Sequence, residues 1–232
     1  MKRPVVDYRE FRLSRINEER FSHLKLLAGW IGNFIMYFIT ERFIPAENCH
    51  VVHCALDDLI PFNELFVIPY VLWYLLIIGS LLYFGLYDVD SFKKLMKYII
   101  VTQIAAMAIY IIFPNRQDLR PEVFPRDNFL TDCVALLYSF DTNTNVCPSL
   151  HVAYSLGIAS TWLKSPEPKK LSKALITAFC LLVCASTAII KQHSVVDAFA
   201  AIPICMLAEL IAFGKIGWTG KLYRRNSETK EK

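Results

Sequence analysis

Charged residues are scarce in this sequence, since Asp, Glu, Lys and Arg make up 20% of its 232 residues. Soluble proteins contain about 25% charged and about 45–50% apolar residues, whereas 55% of this chain is hydrophobic. The low polarity excludes a disordered chain. Because the basic residues form no single basic face, nucleic-acid binding has no support either. The composition therefore favours an integral membrane protein.

A cleavable signal peptide is also missing, because six basic residues and no apolar run precede residue 24. A helix needs about 20 apolar residues to cross a hydrocarbon core of about 30 Å. Six segments are candidates: 24–40, 65–87, 95–113, 149–163, 171–190 and 195–213. The segment 149–163 is short, and it is included so that its neighbours run in alternating directions. The sequence predicts an all-α bundle of six membrane-spanning helices, which forms a single domain over residues 1–232.

The positions of Lys and Arg predict the orientation of this bundle. Twenty of the 25 basic residues lie in four segments: 1–25, 88–97, 164–173 and 214–232. Cytosolic loops are enriched in Lys and Arg, and in a six-span chain these four segments all fall on one side. Both basic ends, 1–23 and 214–232, are therefore predicted to be cytosolic. The other basic residues fall on the outer side: Arg42, Arg116, Arg120, Arg126 and Lys191.

Three polar clusters lie at the outer ends of the predicted spans. In chain order their members are Arg116, Gln117, Asp118 and Arg120; then Pro148, Ser149, Leu150 and His151; then Lys191, Gln192, His193 and Asp197. Ionisable residues at membrane depth are costly and are candidates for function. Since spans three, four and six meet at the outer face, the three clusters can line one pocket.

The residue types in these clusters suit a reaction at phosphorus. Arginines hold phosphate by charge-assisted hydrogen bonds. Pro148 is suited to the first turn of a helix, where free amides beside Ser149 would form an anion site. His193 and Asp197 are four residues apart, so on a helix they share a face, and the carboxylate can leave one ring nitrogen as a nucleophile. His151 is then the candidate general acid. No set of carboxylate ligands is present, so neither a metal nor another cofactor is expected.

The clusters resemble the motifs of the type 2 phosphatidic acid phosphatase superfamily, which includes lipid phosphate phosphatases and lipid phosphotransferases. The family pattern is Lys, six residues, Arg-Pro; then Pro-Ser-x-His; then Ser-Arg, five residues, His, three residues, Asp. The matching residues here are Arg120-Pro121, Pro148-Ser149-Leu150-His151, and Ser186 with His193 and Asp197. The motifs cover residues 116–197, and the six-span layout is similar to the family throughout.

The resemblance implies a metal-independent phosphoryl transfer. His193 would attack phosphorus and form a phosphohistidine, Asp197 would orient it, and His151 would protonate the leaving group. The phosphate oxygens would be bound by Arg120, Ser149 and backbone amides near Leu150.

Two family cations are replaced in this chain. The Lys of the first motif falls on Phe113, and the Arg of the third motif falls on Thr187. Our hypothesis is that Arg116 and Lys191 rebuild the phosphate clamp from different backbone positions.

The resulting expectation is a membrane phosphatase that hydrolyses a lipid phosphate monoester or pyrophosphate at the outer membrane face. Its partners would be this lipid substrate and the surrounding membrane lipids. The alternative is a phosphotransferase that moves a phospho-headgroup to a lipid alcohol, as in branches that make sphingolipid headgroups. A non-catalytic lipid-binding or transport protein is a third interpretation, although a transporter would place its charges nearer the membrane midplane.

Other features of the outer loops and the N-terminal region have weaker interpretations. The string Cys49-His50-Val51-Val52-His53-Cys54 contains four possible metal ligands, but four ligands within six residues can hardly all reach one tetrahedral ion without a tight loop. Disulfides are allowed on the outer side, where Cys49, Cys54, Cys133 and Cys147 permit three full pairings. Segments 7–25 and 55–63 are expected to lie on the inner and outer membrane surfaces as amphipathic stretches.

Overall fold

The computed structural model describes residues 4–214, apart from the side chains of Glu41 and Phe43, and this part of the chain contains eight α-helices. The helices are α1 (Ala28–Phe43), α2 (Ala55–Leu59), α3 (Val67–Tyr87), α4 (Val89–Ile112), α5 (Phe129–Phe140), α6 (Leu150–Lys164), α7 (Lys170–Ile189) and α8 (Val195–Phe213). Two short strands, β1 (His50–Val51) and β2 (Asn115–Arg116), pair in parallel. The predicted all-helical class is confirmed.

Within residues 4–214, four helical segments are long and apolar enough to cross a membrane: Glu64–Tyr87, Val89–Ile112, Lys170–Ile189 and Val195–Phe213. They coincide with four of the six predicted spans and support the assignment as a membrane protein. The other two predicted spans, 24–40 and 149–163, correspond to α1 and α6, which have 16 and 15 residues. At about 1.5 Å per residue both fall short of a core of about 30 Å, so six spans are not confirmed.

The centre of the bundle is built around α4 and α6. Helix α4 packs against α1, α3, α6 and α8, and helix α6 also packs against α7. The ring of Tyr98 in α4 lies so close to Gly157 in α6 that no Cβ would fit there. The Trp162 indole N–H donates to Ser80 Oγ at 3.0 Å and ties α6 to α3. This close packing brings the N-terminal ends of α6 and α8 side by side.

The N-terminal segment differs from the prediction, and nearly all of the C-terminal segment lies outside the described residues. In place of an amphipathic helix over 7–25, the chain forms three short 3-10 turns, Tyr8–Glu10, Leu13–Arg15 and Ser22–Leu27. This segment is anchored by burial of Phe21 and His23. The predicted basic end 214–232 falls outside the described residues except for Gly214.

The two loops predicted to be on the outer side are joined by the β1–β2 pair, in which His50 lies opposite Asn115 and Val51 opposite Arg116. His53 pairs with Asp58 at 2.8 Å, whereas His50 stacks on a phenylalanine ring. All seven cysteines lie within the described residues, and the thiols of Cys54, Cys133 and Cys147 are free, so none of the three full pairings that the sequence permits is formed. Across residues 4–214 no group of three or more His, Cys, Asp or Glu is placed to hold a metal ion.

Candidate active site

The N-terminus of α8 presents the third polar cluster through a capping box. Ser194 is the N-cap, and its side chain accepts a hydrogen bond from the Val196 amide. Asp197 is the third helical residue, and its carboxylate turns back to accept from the Ser194 amide at 3.0 Å. His193 therefore precedes the helix. The prediction that His193 and Asp197 share a helix face was wrong in detail, because the capping box rather than helical spacing brings them together.

The hydrogen bonds of His193 determine its tautomer. Its Nδ1 lies 3.1 Å from Asp197 Oδ2 and 3.1 Å from the Val146 carbonyl oxygen. Both partners only accept hydrogen bonds, so Nδ1 carries the proton. In the neutral ring, Nε2 then has a lone pair. Because Asp197 is fully buried and His193 is 6% exposed, this pair is held in a site of low polarity.

His151, the second residue of α6, lies directly against that lone pair. Its Nδ1 is 3.4 Å from His193 Nε2. Since His193 Nε2 has no proton to give, His151 Nδ1 must be the donor in this contact. The His151 ring is held by Tyr70 and Trp73, whose ring centroids lie 4.5 Å and 4.1 Å away. The structure thus brings together the three residues predicted to be catalytic: His193, His151 and Asp197.

The start of α6 differs from the predicted anion site. Pro148 precedes the helix rather than forming its first turn, and Ser149 is the N-cap. The Ser149 amide is occupied, because it donates to the Asp197 carbonyl oxygen at 3.0 Å. Helix geometry leaves the next two amides, those of Leu150 and His151, without intrahelical partners. The amide donors suited to an anion at this helix end are therefore one and two residues beyond Ser149.

Two cavities meet at His151. The smaller, of about 80 Å³, is bounded by His193 and by polar residues that include Asp141, Thr142, Thr144, Asn145 and Gln192. A water molecule in the liquid occupies about 30 Å³, so this space suits a group of phosphoryl size. The larger cleft, of about 560 Å³, shares Asp141, Leu150 and His151 with it. Its walls are mainly apolar, with Trp30, Phe34, Trp73, Ile78 and Phe140 among them.

The side chain of Arg120 bonds two residues that line the polar cavity, Asp141 and Gln192. Its guanidinium donates to the carbonyl oxygens of Tyr138 and Asp141 and to Gln192 Oε1 at 2.8 Å. It also lies 4.3 Å above the Tyr138 ring centroid. Burial lowers the pKa of Arg120, while Tyr138 and Asp141 oppose this effect, and an arginine remains charged in this environment. Arg120 therefore places a positive charge behind the cavity wall, beside the residue that precedes His193.

Arg116 and Lys191 are directed elsewhere. Arg116 donates to the Ala46 carbonyl oxygen at 2.8 Å and pairs with Asp118 at 3.3 Å. Lys191 Nζ donates to the Asp57 carbonyl oxygen at 2.6 Å. The hypothesis that both cations rebuild the phosphate clamp requires them to leave these partners when substrate binds.

Replacing Arg120 by alanine is expected to lower turnover about 10- to 100-fold, because a hydrogen bond to a charged group contributes about 1.5–3 kcal/mol. Arg116→Ala removes the same charge from a side chain held in the outer loop and is expected to stay within about threefold of wild type. Steady-state turnover of a lipid phosphate by both variants measures the difference. An equal loss in Arg116→Ala would contradict this assignment and favour the rebuilt clamp.

Asp197→Asn is expected to lower turnover about 10²- to 10³-fold. Loss of a carboxylate that alone sets a histidine tautomer costs about 10⁴-fold, but here the Val146 carbonyl also accepts from His193 Nδ1. The rate of product formation, corrected for folded protein by gel filtration in detergent, measures the effect. A variant as active as wild type would show that the carboxylate does not act on His193.

Several residues that shape this site were missed in the sequence. Asp57 was placed on a surface segment, yet it is 2% exposed and contacts the turn before α8. Tyr70 donates to Asp141 Oδ2 at 2.7 Å and stacks on His151. Val146 contributes only a carbonyl oxygen, which no residue type reveals. The Ser-x-x-Asp spacing at Ser194 was the one readable signal, because it is typical of a capping box.

Comparison with known proteins gives no relative: no family model, no curated protein and no solved structure matches this chain. The resemblance to the phosphatase superfamily therefore stays an expectation from the three sequence motifs.

Proposed function

We propose that this chain is a membrane enzyme that hydrolyses a lipid phosphate monoester or pyrophosphate, without a metal, through a phosphohistidine on His193. One observation carries the proposal. His193 Nδ1 donates to Asp197 and to the Val146 carbonyl, while its Nε2 faces His151 Nδ1 at 3.4 Å. A histidine held in this way has its lone pair on the nitrogen beside the polar cavity, as a nucleophile requires.

Two steps account for the reaction. In the first, His193 Nε2 attacks phosphorus, the bond from phosphorus to the leaving oxygen breaks, and His151 in its imidazolium form gives its Nδ1 proton to that oxygen. In the second, water gives a proton to His151 and attacks phosphorus, the P–N bond breaks, and inorganic phosphate leaves. Asp197 stabilises the positive charge that the His193 ring gains. The phosphoryl group must separate the two rings when it binds, because only 3.4 Å lies between them.

The larger cleft supports a lipid as the substrate. It continues from His151 between apolar side chains of α1, α3 and α5, and ligand sites lined in this way bury apolar chains. The distribution of Lys and Arg supports an orientation with both termini in the cytosol. With α1 and α6 as two short additional spans, the site would then lie at the extracytoplasmic face.

A phosphotransferase is the second candidate, and the cations favour it. The side chains of Arg116 and Lys191 are bonded to the carbonyl oxygens of Ala46 and Asp57, which leaves Arg120 as the arginine that bonds residues of the cavity wall. A phosphodiester carries one negative charge, whereas a monoester carries up to two. A site with so little positive charge suits a diester donor, from which the phospho-headgroup would pass to a lipid alcohol in place of water.

Purified full-length protein in a chelating buffer would be given phosphatidate, a polyprenyl pyrophosphate, or ceramide with phospholipid. Release of phosphate and formation of new lipids would be followed together. Phosphate release that His193→Ala abolishes is the expected result. A new phospholipid without free phosphate would favour the transferase, and products unaffected by His193→Ala would overturn the mechanism.

A further inference from the structure

The short outer helix α2 reaches into the turn that carries His193. Asp57 of α2 is 2% exposed. Its Oδ2 accepts hydrogen bonds from Ser194 Oγ at 2.6 Å and from the Cys54 amide at 2.8 Å, and its Oδ1 accepts from the Val195 amide at 2.8 Å. A buried carboxylate is costly unless such donors surround it, and three donors satisfy this one.

The backbone of the same residue holds the other side of the turn. The Asp57 carbonyl oxygen accepts from Lys191 Nζ at 2.6 Å. Lys191 has a φ of 56°, in the left-handed region, and a residue with a side chain stays there only where its surroundings impose it. Asp57 thus forms hydrogen bonds with the segment from Lys191 to Val195 on both sides of His193.

Ser194 connects Asp57 to the predicted nucleophile. Its hydroxyl donates to the Asp57 carboxylate, and its amide donates to Asp197 Oδ2. The same Asp197 oxygen accepts from His193 Nδ1. Both carboxylates lie at the N-terminus of α8, where the helix dipole favours negative charge. A displacement of Ser194 would therefore move the oxygen that sets the His193 tautomer.

Hydrogen bonding keeps Asp57 ionised. Burial alone would raise the pKa of Asp57, but the bonds from Ser194, Val195 and Cys54 outweigh it and leave the pKa below its usual value. Asparagine at this position would keep the shape but lose the charge. The side chain of this asparagine would also place its NH₂ group against one of the three partners of Asp57. All three partners donate hydrogen bonds, so that contact would have two donors and no acceptor.

We propose that Asp57 is a positioning residue for phosphoryl transfer, which holds the Lys191–Val195 turn so that His193 Nδ1 stays on Asp197 and Nε2 faces the cavity. This inference rests on the proposed function. In this proposal α2 supports the active site from outside, because Asp57 acts on His193 through Ser194 and not through contact with the substrate.

The test compares Asp57→Asn with Asp58→Asn in the full-length protein. Asp58 is the adjacent carboxylate, its side chain is 66% exposed, and its partner is His53 rather than the site. Active enzyme would be counted from the burst of phosphoenzyme, so that misfolded protein does not enter kcat. We expect Asp57→Asn to lower kcat about 10- to 100-fold, since a misplacement of about 1 Å can cost 10²-fold. KM should stay within about threefold, and Asp58→Asn should match wild type.

An unchanged kcat per active enzyme in Asp57→Asn would overturn the proposal, even if less folded protein is recovered. Should Asp57→Asn not fold, Ser194→Ala breaks the same link while Asp57 keeps its two amide donors. A kcat for Ser194→Ala equal to wild type would then overturn it, and a several-fold loss at constant KM would support it. His193→Ala in the same assay separates the two ideas, because activity in that variant contradicts the proposed function itself.

Discussion

Replacement of His193 by alanine is expected to abolish phosphoryl transfer, with a loss of at least about 10⁴-fold, because no covalent intermediate can form without the nucleophile. The residual rate would come from substrate binding and phosphate-site donors alone. Product formation from the best lipid phosphate substrate, measured at saturating substrate, gives the size of the loss.

His53→Ala is the matched control for this change. His53 is an exposed histidine of the segment before α2 and pairs with Asp58, so its loss should leave turnover unchanged. Rapid quenching with labelled substrate should trap an acid-labile, alkali-stable phosphoryl group on wild type and on His53→Ala, and none on His193→Ala. Label retained in His193→Ala would place the nucleophile elsewhere.

Loss of His151 is expected to have an effect that depends on the leaving group. With a lipid alcohol as leaving group, His151→Ala should lower kcat about 10²- to 10⁴-fold, the contribution typical of a general acid. With p-nitrophenyl phosphate, whose weakly basic leaving group needs little protonation, the loss should be about tenfold or less. Turnover of both substrates by one preparation measures the ratio.

The same comparison distinguishes acid catalysis from binding. His151 also stacks on Tyr70 and lines both cavities, so its removal could weaken substrate binding. That effect would raise KM similarly for substrates that share the phosphate. Equal losses of kcat for the two leaving groups would contradict the assignment of His151 as the acid.

Motif spacing predicted which side chains lie close together, namely His151, His193 and Asp197, but helical periodicity did not explain how two of them meet. His193 and Asp197 were paired through the four-residue spacing of a helix, yet His193 lies before α8 and the capping box of Ser194 supplies the contact. The pair was selected because histidine and aspartate are the residue types that the proposed phosphoryl transfer would need. The second acceptor, the Val146 carbonyl, could not be predicted, since every residue has one.

Asp57 shows the physical limit of reading the site from sequence. Its carboxylate bonds Ser194 across 137 residues, and in the sequence it stands beside an exposed neighbour of the same type. Nothing local distinguishes the two, because burial of Asp57 follows from how the outer loop packs on α8. Hydropathy found the apolar run of α1, whereas the segment of α6 was included only so that its neighbours run in alternating directions. The two helices have 16 and 15 residues, and their lengths leave open whether they cross the membrane.

A polar cavity and an apolar cleft both border His151, and this arrangement affects the order in which products would leave the enzyme. If His193 carries the phosphoryl group, the two products depart by different routes, the lipid sideways into the bilayer and the phosphate into water. The phosphorylated enzyme then outlives its first product, and its fate is a kinetic competition between water and any lipid hydroxyl that enters the emptied cleft. For any one donor, hydrolysis and transfer would be two outcomes of the same phosphohistidine, decided by which acceptor arrives first.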